Sequence, residues 1–365
     1  MLPYWLMFLA PALLAASSSS VKAPIADARK AIVWDFVWLS LTLLIGFRHE
    51  VGGDWASYER MLDNTAGLDL GEVLLRGDPG YNLFNWISVG LGWDIYGVNL
   101  AGGAIFSFGL LTFCRAQPQP WLALAVAMPY LVIVVAMGYS RQGIALGFTM
   151  LGFVALCKGS NLKFAIWIAL GATFHKTAVL IMPIAALASS KNRYATAAWI
   201  ALLGAGLYKV LLEKDADNLY RNYVTADMQS EGALVRTLMG AVPAIIFLVW
   251  RKRFQLEKAE ADLWTWLAVI AATLPVALAV TSASTAIDRM ALYMLPLQLV
   301  VFARMPDALA TPDPREGKRT AVADAPVVTA AILVYYGAVL FVWLNFATYA
   351  HFWLPYQFYP WDGSF

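Results

Sequence analysis

Twelve apolar segments divide the chain, at approximately 3–16, 32–47, 96–114, 121–137, 141–157, 162–174, 177–189, 195–212, 234–250, 262–281, 289–304 and 326–345. No soluble core of this size needs so much apolar sequence, so most of it has to be covered by lipid. Composition agrees: 60% of the 365 residues are hydrophobic and 14% are charged, against about 25% charged in soluble domains. In hydrocarbon a segment must satisfy its own backbone amides, which an α-helix does. The expected fold is all-α: a polytopic integral membrane protein with about 11–12 transmembrane or half-membrane helices.

A straight crossing takes about 20 residues, and several segments fall short of that. The stretch 81–93, from Tyr81 to Trp93, is apolar but short and reads as an interfacial or half-inserted helix. The chain 1–365 reads as a single transmembrane domain. Its first external loop, 48–95, carries that short helix, and a second external loop spans 213–233. Residues 305–326 read as a loop. Met1 to Ala16 lacks the positive start of a signal peptide and reads as a first transmembrane helix. Cys114 and Cys157 show neither a disulfide framework nor zinc spacing. The net charge of +2 argues against a nucleic-acid partner.

Basic residues set the orientation, because cytoplasmic loops collect Lys and Arg. Placing 17–31, 115–120, 158–163, 190–194, 251–261 and 303–325 in the cytoplasm puts most of the 26 basic residues there, including the run Arg251-Lys252-Arg253. Segment 162–189 must then begin and end on that side, yet it is too short for two full crossings. A broken pair of short helices, meeting at Phe174-His175-Lys176, is the expected solution. Backbone breaks at membrane depth are tolerated where they line a polar cavity.

With this topology the remaining charges gather at one outer face. The stretch Arg48-His49-Glu50-Val51-Gly52-Gly53-Asp54-Trp55-Ala56-Ser57-Tyr58 opens the first external loop. Arg141 starts the helix at 141–157, His175 and Lys176 mark the break, Arg236 begins 234–250, and Asp288-Arg289 begins 289–304 with Tyr293 one turn inward. Ionisable groups beside transmembrane helices usually face a cavity or a partner. Arginine forks match phosphate oxygens in pairs, and helix N-termini add N–H donors. Asp54, His175 and Asp288, in that order, are candidate general bases. Each residue also has a plain structural reading: Arg48 as a snorkelling helix end, Asp54 as a turn or cap residue, His175 as a core residue, Asp288-Arg289 as a local pair. Asp78-Pro79-Gly80-Tyr81 reads first as a turn and helix start. The aromatic tail with Trp353, Pro355, Tyr356, Tyr359 and Trp361 reads as an interfacial belt, with a sugar-contacting lip as the alternative.

At these positions the chain resembles the EpsG family of Wzy-type polysaccharide polymerases. The resemblance rests on Arg48, Val51, Gly52, Asp54 and Tyr58 in the first stretch, and on Asp78-Pro79-Gly80-Tyr81, where the family often has Glu. It continues in Arg141-Gln142-Gly143-Ile144-Ala145, Phe174-His175-Lys176 and Asp288-Arg289 with Tyr293. It implies a GT-C-like membrane glycosyltransferase in the bacterial inner (cytoplasmic) membrane, with its active site facing the periplasm. Donor and acceptor would be glycans on undecaprenyl diphosphate, and partners would include a chain-length regulator, a flippase and membrane lipids. Arg141 and Arg289, supported by Arg48 or Arg236, would hold the diphosphate, with Gln142, Lys176 and Tyr293 in the same motifs. Tyr58, Trp55 and Tyr139 would stack on sugars. No metal and no cofactor is expected. An O-antigen-ligase-like transfer uses the same donor chemistry. A lipid-linked oligosaccharide transporter would show midplane charges and an internal repeat, neither of which the sequence displays.

Overall fold

A computed structural model describes residues 1–18, 27–184, 188, 193–207, 232–281, 284–310 and 323–362. In chain order the first elements are α1 (Leu2–Ser18), α2 (Asp27–Gly46), a two-residue strand β1 (Arg48–His49), α3 (Trp55–Asp63), α4 (Leu70–Leu74) and α5 (Pro79–Leu91). Then come α6 (Asp94–Arg115), α7 (Pro120–Ala127), which runs on as a π-helix over Met128–Ala136, α8 (Ser140–Cys157) and α9 (Asn161–Phe174). After a 3₁₀ turn at Lys176–Ile181 follow α10 (Arg193–Leu207), α11 (Ala233–Trp250), α12 (Lys258–Val280), α13 (Ser284–Met294), α14 (Pro296–Ala310) and α15 (Ala325–Phe346). A 3₁₀ turn (Ala350–Trp353), strand β2 (Gln357–Phe358) and α16 (Tyr359–Asp362) close the described chain.

Among the described residues six helical units are long and apolar enough to cross a membrane: α6, α8, α11, α12, the continuous α13–α14 and α15. Shorter apolar helices are α1, most of α2, α7 with its π-helix, α9 and α10. The chain is an all-α polytopic membrane protein. The apolar patterns sort by depth in the bundle. Every residue from Leu122 to Gly138 is buried, as expected of a helix apolar all round. The best spanning windows of α12 and α15 are 33% buried against 78% for α8, so α12 and α15 form the lipid-facing rim. A Cβ on Gly109 would overlap the Gly147 backbone, and one on Gly147 would lie 2.8 Å from the Phe106 Cα. Small residues thus bring α6 and α8 together, the usual device for helix contact in lipid.

The expected break exists. The 14 residues of α9 reach about 21 Å, short of the ~30 Å hydrocarbon core. The helix ends at Phe174, His175 is extended (φ −152°, ψ 111°), and 3₁₀ geometry follows. Asn161 Nδ2 donates to Thr196 Oγ1 at 3.4 Å, so α10 begins beside the start of α9 and the chain has returned to the same face. At that face Arg304 donates to Glu260 at 2.6 Å and also to Gln117, and Gln119 donates to Asp307 at 3.2 Å. These ends, all assigned to one side from their basic residues, do lie together.

Four expectations change. The helix carrying Asp288 and Arg289 begins at Ser284 rather than 289, so both residues lie in its second turn, away from its free N–H groups. Apolar onset is a poor marker here because Ser284 and Thr285 start the helix before apolar sequence resumes. Residues 305–310, expected in a loop, continue α14, with Pro306 inside it. The tail is no simple belt: Trp353 is 2% exposed, and its indole N–H donates to the Ile133 carbonyl at 2.7 Å. Its own carbonyl accepts from Tyr4 Oη at 2.6 Å. The 81–93 segment is α5, preceded by two short helices that the sequence did not announce. Most of the 213–233 loop lies outside the described residues.

Candidate functional site

The site begins where α2 ends. The Arg48 backbone pairs with Phe358 and that of His49 with Gln357, antiparallel. This pairing turns the Arg48 side chain inward, where it is 1% exposed. Its Nε donates to the Val51 carbonyl (3.3 Å), Nη1 to the Ile45 carbonyl (2.5 Å), and Nη2 to Asn99 Oδ1 (3.0 Å) and Ser140 Oγ (2.6 Å). One guanidinium therefore ties the end of α2 to the starts of α6 and α8. Arg48 is neither a snorkelling residue nor open to a ligand: four of its five N–H donors are committed to protein.

The chain then turns at Gly52, whose φ of +109° suits glycine. A Cβ there would sit 2.6 Å from the Met137 carbonyl oxygen and 2.8 Å from the Gly138 Cα. The turn delivers Asp54 to the start of α3, but its side chain does not cap that helix. Instead the carboxylate accepts from the Tyr58 hydroxyl and lies in the field of Arg289 and Arg141. Burial holds its carboxyl above the ordinary aspartate range, against the pull of both arginines and the tyrosine. Among the described residues neither arginine closes an ion pair with it.

Arg141, the second residue of α8, is braced by Asp78: Nη1 to Oδ2 is 2.8 Å, with the arginine side chain 34% exposed and the aspartate 6%. Its guanidinium also stands 6.0 Å above the Tyr58 ring. Asp78 leaves its own helix uncapped and accepts the backbone N–H of Lys176 as well. Burial raises its carboxyl above the normal range, and Arg141 and Lys176 oppose that. Asp78 is the residue that reading the sequence as a turn undervalued. The available signal was the Asp78-Pro79-Gly80-Tyr81 stretch on which the family resemblance rests.

Arg289 is braced in a parallel way. Its Nη1 donates to Gln142 Oε1 at 2.8 Å, while Gln142 Nε2 donates to the Arg289 carbonyl at 3.2 Å. Gln142 is 1% exposed, so it positions Arg289 from behind. The Arg289 guanidinium lies 5.7 Å over the Tyr139 ring. His175 and Lys176 are both buried at the break, and Arg289 and Arg141 both act electrostatically on His175. Arg236 grips Asp288 with two bonds, Nε to Oδ1 and Nη2 to Oδ2 (2.8 Å), and hydrogen-bonds Tyr130 on the π-helix. Asp288 thus pairs with Arg236, four residues into α11, rather than with its neighbour Arg289. Tyr293 is fully buried and accepts from Thr177 Oγ1 at 3.3 Å, which locks α13 to the turn after the break. Trp55 and Tyr58 are 7% and 3% exposed and offer no free ring face.

The twelve candidate positions therefore converge at one end of the bundle, in two layers. Asp54, Arg141, Arg289 and His175 form the inner group. Arg48, Tyr58, Gln142, Arg236, Asp288 and Tyr293 brace it, with Lys176 and Tyr139 between. All twelve fall inside residues 31–358, the region matched by the model of the EpsG family.

The chain belongs to the EpsG family. That membership supports a polysaccharide-polymerase-like role for this membrane protein. No curated protein and no solved structure matches the chain. Within the matched region, Asp78-Pro79-Gly80-Tyr81 and Arg141-Gln142 meet as one ion pair, Asp78–Arg141. The first stretch and the late Arg motif meet across Asp54 and Arg289.

Proposed function

We propose that this EpsG-family chain extends a polysaccharide by transferring a glycan from a lipid diphosphate, undecaprenyl diphosphate, onto the hydroxyl of a second lipid-linked repeat unit. The reaction takes place at the outer face of the bacterial inner membrane, by a GT-C-like mechanism. One observation carries the reading: Arg141 and Arg289 are each fixed through a single nitrogen, by Asp78 and Gln142. Among the described residues their Nε atoms have no hydrogen-bond partner. Two arginines rigidly held, half committed and beside an unpaired carboxylate suit a dianionic leaving group. Leaving a buried donor unsatisfied costs about 1–3 kcal/mol, a cost that phosphate oxygens would relieve.

In the reaction the acceptor oxygen attacks the anomeric carbon and the bond from that carbon to the diphosphate oxygen breaks. The lipid diphosphate leaves with the electron pair, and the acceptor's proton passes to Asp54. Arg141 and Arg289 meet the charge that develops on the leaving oxygen. Removing one such preorganised donor typically costs about 2.7–4 kcal/mol of transition-state stabilisation. His175, near both arginines, is placed to hydrogen-bond the diphosphate or the acceptor. Asp288 and Arg236 hold each other and Tyr130 rather than act on substrate. The test is chain growth by purified protein in lipid from lipid-linked repeat units. Asp54→Asn, Arg141→Ala and Arg289→Ala are expected to abolish ladders, and wild-type ladders from both arginine variants sink the diphosphate role. A single-transfer product instead of a ladder marks the ligase-like reaction.

A further inference from the structure

The aromatic residues expected to stack on sugar are the wrong ones, since Trp55 and Tyr58 are buried and Tyr139 lies beneath Arg289. Exposed rings stand elsewhere beside Asp54. The Phe352 carbonyl accepts from the Gly52 N–H at 2.8 Å, which fastens the 349–353 turn to the turn that carries Asp54. The Phe352 ring lies 3.6 Å from where a Cβ on Gly53 would stand. It is nevertheless 41% exposed. The His351 ring is also exposed and sits 4.1 Å from it, centroid to centroid. His351 Nδ1 contacts the Thr348 carbonyl at 2.9 Å. A carbonyl can only accept, so that nitrogen carries the proton and Nε2 is left as an acceptor.

These two rings stand apart from the tail's apolar groove. Other tail aromatics line that groove: Tyr356, Phe358 and Trp361 do so with α1 and α2 side chains such as Leu6 and Phe36. Neither His351 nor Phe352 lines that groove. A flat apolar ring beside an outward hydrogen-bond acceptor matches a pyranose, which has an apolar C–H face and hydroxyl donors at its rim.

We propose that His351 and Phe352 form a subsite for a sugar ring of the acceptor glycan, next to Asp54. The proposal rests on the polymerase reading above. Phe352 stacks on the sugar's C–H face, and His351 Nε2 accepts from a ring hydroxyl. The turn is tied to Gly52 through backbone, so side-chain changes leave that tie in place.

The experiment measures chain growth against acceptor concentration for the wild type, Phe352→Ala, Phe352→Leu, His351→Gln and the groove control Trp361→Ala. In parallel, saturation-transfer NMR uses one defined probe. It is the lipid-free repeat unit released by mild acid from the lipid-linked intermediate that accumulates in cells lacking this chain. The expected result is an acceptor KM raised roughly three- to tenfold by Phe352→Ala and His351→Gln, the scale of one aromatic or hydrogen-bonding contact. kcat stays within about twofold of wild type at that contact energy, Phe352→Leu is intermediate, and Trp361→Ala behaves as wild type. Saturation transfer to the probe falls in Phe352→Ala and His351→Gln, in step with the rise in KM. An active wild type whose KM is unmoved by the first two variants overturns the subsite and leaves the polymerase reading standing. No accumulated intermediate and no chain growth overturns the polymerase reading, and this subsite with it.

Discussion

Asp54 shows how much of a site resides in the neighbours of one residue. Its carboxyl is raised by burial and lowered by Arg289, Arg141 and the Tyr58 hydroxyl. A base must be ionised to work, so activity is expected to fall as pH drops through the Asp54 pKa. Tyr58→Phe removes a hydrogen bond to the charged form. The acid limb of the kcat/KM profile should therefore move to higher pH, with the plateau retained. A limb that stays put or moves down refutes Asp54 as the titrating base. Arg48 calls for the opposite kind of test. Arg48→Lys gives up a fork bonded to four neutral acceptors, and the loss is expected to be about 3 kcal/mol or more of stability, read as a lowered Tm. Folded protein should keep its lipid-diphosphate affinity, which an Arg141 variant should not. The difference between these two arginines was illegible in the sequence. Arg48 is buried by Asn99 and Ser140, 51 and 92 positions away, and motif membership made both arginines look alike. Asn99, the one amide side chain in segment 96–114, was a hint.

At the scale of the element, turns place the chemistry. Gly52 is the sharpest case, with φ of +109° and the Met137–Gly138 backbone against it. Gly52→Ala is expected to cost about 1–3 kcal/mol from backbone strain, plus displacement of the Asp54 turn. Gly53→Ala meets only Phe352 at an ordinary 3.6 Å and should be mild. Comparing the Tm and activity of the two variants checks this, and equal effects would show that the turn does not position Asp54. The break at Phe174-His175-Lys176 was readable because charge bookkeeping forced the chain back to the side it came from. The π-helix over Met128–Ala136 was not readable, since its apolar run has no signature that separates it from an α-helix. It nonetheless carries Tyr130 to Arg236. The α13 start was misread for a related reason: Ser284 and Thr285 look like loop, yet they are helix.

For the whole molecule, hydropathy was enough to read an all-α membrane bundle, and basic loops were enough to say which helix ends lie together. What they missed is the role of the tail. Strand β2 pairs with β1, Phe352 holds Gly52, Trp353 holds Ile133 and Tyr356 Oη donates to the Leu44 carbonyl at 2.7 Å. Truncation after Phe346 spares all six spanning units found among the described residues but removes every one of these bonds. Its expected phenotype is insertion into the membrane with loss of chain growth and a Tm lowered by several degrees, about what a few lost hydrogen bonds imply. Retained activity would show that the tail is dispensable.

That clasp also sets an order of events during synthesis. Tyr4 and Trp353 are 349 residues apart, and the loop bearing Asp54 leaves the ribosome long before its partner strand exists. Contacts so distant form late, after the helices between them have been inserted. For the proposed reaction this means that the nascent chain holds its arginines before Asp54 is seated, and that the site is complete only once the last strand has closed over the first loop.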